Sequence, residues 1–208
     1  MNKVVLNSLV IAALVVSAAF TSCDKDDDGL ITVSGTLTGE YANWDVVIAS
    51  FDYGETLAAT VPPISGGKFS IELPVPKAKY LKPFIVGDFL DGITISDKNV
   101  KSVTAAFYVR INNYDYKLNL AARNNSQISF VFYIYCDRNC IINGSNSYVS
   151  DDKRTETHIY ENVKYSKGWN VLSWTVIEPG VFYYKTGAIP SGATWMSNSQ
   201  LYDFLDEE

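Results

Sequence analysis

Histidine is nearly absent from this chain: among 208 residues there is one, His158. Nucleophile activation, proton shuttling and many metal centres lean on imidazole, so every Ser-His or Cys-His scheme is confined to that position. Cysteine is scarce at three residues, and none of them form a C-x-x-C pair. No G-x-S-x-G elbow, P-loop or dinucleotide glycine fingerprint follows a strand pattern. Positive charge is also short, with 17 Lys and Arg against 23 Asp and Glu and a net charge of −6. Without a basic surplus to displace condensed counterions, nucleic acid is excluded as a partner. Long charged low-complexity tracts are missing, which argues against disorder. Fixed-period repeats are missing too, which argues against a propeller or solenoid.

What is present is apolar and aromatic. The chain is 47% hydrophobic and 19% charged, with 14 Tyr, 10 Phe and 4 Trp. That composition can fill the core of one ordinary domain or two small ones.

The N-terminus reads as an address. Lys3 supplies a positive start, Val4 to Phe20 form an apolar run broken by Asn7, Ser8 and Ser17, and Thr21-Ser22-Cys23 closes it with small residues. This is the pattern of an export signal, and the run sits at the short limit for a spanning helix. Phe20-Thr21-Ser22-Cys23 resembles a bacterial lipobox, which implies that residues 1–22 are removed and that Cys23 is acylated. The following Asp24-Lys25-Asp26-Asp27-Asp28 resembles the acidic export tag of Bacteroidetes-type surface lipoproteins. That resemblance implies an acidic tether over residues 23–29, outer-membrane lipid as a partner through acylated Cys23, and display toward the cell exterior. Asp24, Asp26, Asp28 and Gly29 also match the start of a calcium loop. The match fails at its twelfth position, which is Gly35 instead of a glutamate, so no metal site is expected.

Beyond Gly29, period-two alternation between turn signals predicts an all-β body of one or two antiparallel sandwiches. The clearest hairpin turns at Asn112-Asn113. It places Ile111 opposite Tyr114, Val109 opposite Tyr116, Phe107 opposite Leu118 and Ala105 opposite Leu120 on an apolar face. Arg110 faces Asp115 on the other, and Asn tolerates the positive φ of a type I′ turn. A second hairpin is expected to turn at Asp137-Arg138-Asn139, which sets Cys136 opposite Cys140. In an exported chain this pair predicts a disulfide, worth roughly 2 kcal/mol in the chain-entropy account. A third hairpin is expected to run from Thr157 to Tyr165, turn near Lys167-Gly168 and return through Leu172, Trp174 and Val176, with Trp174 in the core. Shorter strands are expected at Ile31–Leu37, Val46–Ile48, Thr56–Val61 and Phe69–Leu73. The C-terminal tail is expected to form a turn or two of helix docked through Leu201, Phe204 and Leu205.

Ser34-Gly35-Thr36-Leu37, Trp44 to Ala49 and Gly67 to Leu73 resemble transthyretin-like or carboxypeptidase-regulatory-like modules. The resemblance implies a Greek-key sandwich over residues 30–97. Residues 98–208 then form a second sandwich, a meander of hairpins, or continue the first sheet. Lys167-Gly168-Trp169-Asn170 is similar to a segment of small Bacteroidetes surface lipoproteins.

Two surfaces bear on function. Tyr133 and Tyr135 lie on a strand that is apolar on both faces, which calls for a second sheet or a ligand. With Trp44, Trp169 and Trp195 beside turns, they are the candidate platform for a glycan or protein ligand. Glu156, His158 and Tyr160 fall on the polar parity of their strand and are expected to form a solvated face. The leading expectation is therefore a noncatalytic, lipid-anchored surface protein for binding or assembly, with no cofactor. Its rivals are a transthyretin-like subunit or accessory component of a surface fibre, and a carbohydrate-active enzyme built on two converging carboxylates.

Overall fold

The computed structural model describes residues 29–51, 56–60, 67–84, 91–151 and 153–206. The expected export signal, Cys23 and the Asp24–Asp28 run lie outside them. The described residues are all-β apart from 3-10 turns and one terminal helix. In chain order the strands are β1 (Ile31–Thr36), β2 (Val46–Phe51), β3 (Thr56–Thr60), β4 (Lys68–Leu73), β5 (Lys82–Pro83), β6 (Ile93–Ile95) and β7 (Lys101–Ile111). They continue with β8 (Tyr114–Asn124), β9 (Gln127–Cys136), β10 (Cys140–Val149), β11 (Thr155–Tyr165), β12 (Gly168–Glu178), β13 (Val181–Thr186) and β14 (Thr194–Ser197), before helix α1 (Asn198–Asp206).

β1 and β4 make a two-stranded sheet; the other twelve strands join one large sheet, ten of them along the path β3-β2-β7-β8-β9-β12-β13-β11-β10-β6, with β14 paired to β8 and β5 to β7 beside it. The first and second halves of the chain meet in it, because β2 is paired with β7 from Val46 opposite Arg110 to Phe51 opposite Ala105. The early strands lie where alternation placed them. The Asn112-Asn113 hairpin has the expected register from Ile111–Tyr114 to Phe107–Leu118. Both asparagines adopt positive φ, 51° and 68°, and Arg110 pairs with Asp115 at 2.6 Å.

Past Leu118 the hairpin opens. Ala105 pairs with Tyr133 of β9, not with Leu120, while Leu120 pairs with Val131. Thus β7, β8 and β9 form a three-way junction in which each strand exchanges one neighbour for another midway. Ala106, Asn119 and Phe132 sit at the three bends, and their outward edges are held by Ser50, Met196 and Leu172 respectively. Period-two logic fixes a strand's faces but not which neighbour it keeps.

Two hairpins expected from the sequence are corrected. β9 pairs with β12 and β10 with β11, so Cys136 lies opposite Gly168 and Ser102, and Cys140 lies opposite Tyr165. The two cysteines are separate buried thiols and no disulfide joins them. β11 and β12 are not laddered to each other either. β13 enters between them, parallel to β11 and antiparallel to β12.

Two cores flank the middle of the large sheet. One lies between it and the β1/β4 pair, uniting Val33, Phe69, Phe107, Tyr133, Trp169 and Trp195. The other gathers Ile134, Cys136, Cys140, Ile142, Tyr165 and Leu172. These last residues belong to strands of one sheet, so that sheet must curl until β10 comes over the opposite face of β9 and β12. β9 is apolar on both faces because it serves both cores. The C-terminus closes the first core: β14 pairs with β8 and inserts Trp195 against Phe69 and Phe107, at centroid distances of 5.4 and 5.0 Å. α1 then docks by setting Phe204 under the Arg123 guanidinium, which also donates to the Phe204 carbonyl.

Candidate binding pocket

The curled part of the sheet aligns aromatic side chains across neighbouring strands. Register places Trp174 opposite both Phe130 and Tyr184, Tyr184 opposite Tyr160, and Tyr160 opposite Gly144. The next row runs from Phe182 to His158 to Asn146. Directly opposed residues have Cβ atoms about 5 Å apart, so flat side chains in such rows lie face to face. Tyr160 and Tyr184 stack at 4.4 Å and 13°, and Tyr148 and His158 at 5.3 Å and 12°. Trp174 and Tyr184 are nearly coplanar in orientation, 3° apart. The row ends at Gly144, whose φ of +116° and lack of a side chain let the Gly92 carbonyl approach to where a Cβ would stand. This contact brings β6 across the aromatic face.

Beside β6 the face lines a half-open pocket of about 430 Å³. Ile93, Ile142 and Leu172 form its apolar wall, and Asn146, His158 and Tyr184 gather its polar groups. Asn146 is fixed by donating from Nδ2 to the Asp91 carbonyl at 2.8 Å. His158 Nδ1 and the Tyr184 hydroxyl share a hydrogen bond of 2.7 Å. On the far side of the ring, Tyr148 donates to Glu156 Oε2 at 2.8 Å. That same oxygen lies 3.4 Å from His158 Nε2, a buried nitrogen that makes no hydrogen bond among the described residues.

Burial pushes the Tyr184 phenol well above its ordinary range, with the neighbouring Tyr160 adding to the shift. Burial raises Tyr160 and Tyr165 likewise, and raises Tyr148, whose hydrogen bond to Glu156 acts in the same direction. Below the pocket the Cys140 thiol is pushed up to about 11, first by burial and then by Asp97 and Asp137. At neutral pH the phenols around the pocket and the Cys140 thiol of the adjoining core are thus neutral. They can donate hydrogen bonds and offer ring faces, but they supply no anionic nucleophile. Among the described residues no cluster of three or more His, Cys, Asp or Glu side chains is arranged for a metal ion.

The residues singled out from the sequence lie elsewhere. Tyr133, Tyr135, Trp44, Trp169 and Trp195 are all buried in the first core, Tyr133 and Trp169 to 2% exposure, and present no open platform. Their ring edges meet other rings: Tyr135 packs on Trp169 and Phe107 on Tyr133, edge to face. Conversely, Glu156, His158 and Tyr160 do not form a solvated face, since the curl of the sheet closes over them and leaves the His158 side chain 15% exposed. Trp174 is half-buried on this face instead of lying in a core. Tyr148, Phe182 and Tyr184 escaped the sequence reading. The run Phe182-Tyr183-Tyr184 after Pro179-Gly180 is a strand signal, yet nothing local announces that it slots beside β11 in parallel.

Comparison of the chain with protein-family models, with curated proteins and with solved structures finds no match in any of the three.

Proposed function

We propose that this chain is a noncatalytic, lipid-anchored outer-membrane protein that faces outward and binds a small, largely apolar molecule in the pocket around Tyr184. The pocket carries this reading. Its volume of about 430 Å³ lies within the few hundred to a thousand typical of small-molecule sites, and it combines an apolar wall with a few fixed polar groups. Protonated phenols and an engaged His158 Nδ1 favour recognition over bond-making chemistry. The anchor rests on Phe20-Thr21-Ser22-Cys23 and the aspartates that follow. Replacing Cys23 with Ala should move the protein out of the membrane fraction.

The binding claim is tested with N-phenyl-1-naphthylamine, a neutral fluorophore that brightens in apolar surroundings. The purified protein should enhance its fluorescence saturably. Ile93→Trp, which fills the pocket from the short edge strand β6, should weaken binding at least about tenfold, equivalent to ~1.4 kcal/mol. Unsaturable enhancement, or equal binding by the filled variant, would contradict the reading.

A further inference from the structure

A second chamber, of about 340 Å³, opens where β7, β8 and β9 part at the three-way junction. It shares Ile134, Leu172 and Tyr184 with the first pocket, so the two lie in series along one aromatic face. Phe130, Phe132 and Trp174 make its apolar sides. Two polar features mark it. Trp174 lines it, and the Nε1 atom of that indole is buried with no hydrogen-bond partner among the described residues; an indole N–H can only donate. Lys117 is the charged side chain lining the chamber; it is exposed and makes no ion pair among the described residues. A buried donor beside an apolar chamber selects for an acceptor, and an exposed, unpaired cation on its lining selects for negative charge. A carboxylate meets both requirements with one group.

Resting on the apolar pocket proposed above, we infer that the two chambers hold one elongated ligand, a long-chain carboxylic acid. Its carboxylate lies in the junction chamber, accepting from Trp174 Nε1 and facing Lys117, and its apolar chain extends past Tyr184 toward Ile93 and Ile142. The register of the fold explains the placement. Trp174 reaches the chamber because β12 pairs with β9 on the outward side of the bend at Phe132, and Lys117 reaches it from its rung with Tyr108, next to the Phe107–Leu118 rung at which β8 leaves β7.

The test compares cis-parinaric acid with its methyl ester, which keeps the chain and removes the charge, by tryptophan-excited energy transfer in the full chain. The acid should bind at least about tenfold more tightly than the ester. Lys117→Gln, an exposed change that leaves the folded packing alone, should abolish that preference, and Trp174→Phe, which keeps the ring and deletes the N–H, should weaken the acid several-fold. Equal affinity for acid and ester, or no effect of either substitution on the acid, overturns the carboxylate assignment while leaving the apolar pocket standing, provided Ile93→Trp still excludes both probes. Failure of both probes to bind the unsubstituted protein overturns the assignment together with the pocket on which it rests.

Discussion

At the scale of single residues, Tyr184 is the hub of the proposed site. Its ring stacks on Tyr160, and its hydroxyl shares a hydrogen bond with His158 Nδ1. Tyr184→Phe keeps the stack but deprives the largely buried His158 Nδ1 of its partner. An unsatisfied buried polar group costs about 1–3 kcal/mol, and urea denaturation of the variant should show a loss in that range. A second residue-scale consequence concerns alkaline pH. A thiol whose folded value is raised from 9.0 to about 11 binds its proton more tightly in the folded state than in the unfolded one. Its contribution to stability is therefore complete below pH 9.0 and is lost as pH rises through about 11. The urea midpoint should fall across that window, and Cys140→Ala should flatten the fall. Tyr165 and Tyr184, raised by burial, continue the same trend at higher pH.

At the scale of elements, legibility followed locality. The Asn112-Asn113 hairpin was readable from its turn as far as the Phe107–Leu118 rung because its turn residues, its apolar rungs and its Arg110–Asp115 pair all specify one register, whereas the expected Ala105–Leu120 rung is lost where the strands part. Substituting Asn113, at φ 68°, with Val should cost about 1–2 kcal/mol in chemical denaturation, whereas Gly there should be neutral or stabilising. The β9 and β12 partnerships were not readable. A strand apolar on both faces carries no alternation to fix its neighbour, so Cys136 and Cys140 looked like facing rungs of one hairpin when each serves a different ladder. The insertion of β13 beside β11 was hidden for another reason: parallel pairing joins segments whose connection passes through β12, and no turn residue encodes it. Gly144 marks an element-scale weak point. A Cβ there would stand 2.1 Å from the Gly92 carbonyl oxygen, on a backbone at φ +116°. Gly144→Ala should cost about 2–3 kcal/mol in urea denaturation and detach β6 from β10, opening the pocket roof.

At the scale of the whole molecule, the apolar and aromatic composition announced a large β core, and the structure divides it into two cores on either side of β9 and β12. The first half of the chain does not complete its own core: its β1 and β4 faces are covered by Phe107 from β7 and Trp195 from β14, and β2 takes β7 as its neighbour. A fragment of residues 30–97 should therefore fail to fold alone, giving a collapsed amide region in its proton–nitrogen NMR spectrum. A dispersed spectrum would mean that the early strands are self-sufficient. The candidate site was invisible in the sequence for a whole-molecule reason as well. His158 and Tyr160 occupy the polar side of β11 by local pattern, and they become pocket walls because the sheet curls and β6 crosses over them. Charge pattern locates a solvent-facing side only when the sheet stays open.

The most direct measurement is a set of intermolecular NOEs from bound N-phenyl-1-naphthylamine to protein methyl groups. The pocket account predicts cross-peaks to Ile93, Ile142 and Leu172, which line the curled aromatic face. Cross-peaks confined to the exposed surface near Val75, Val149 or Leu205 would contradict it.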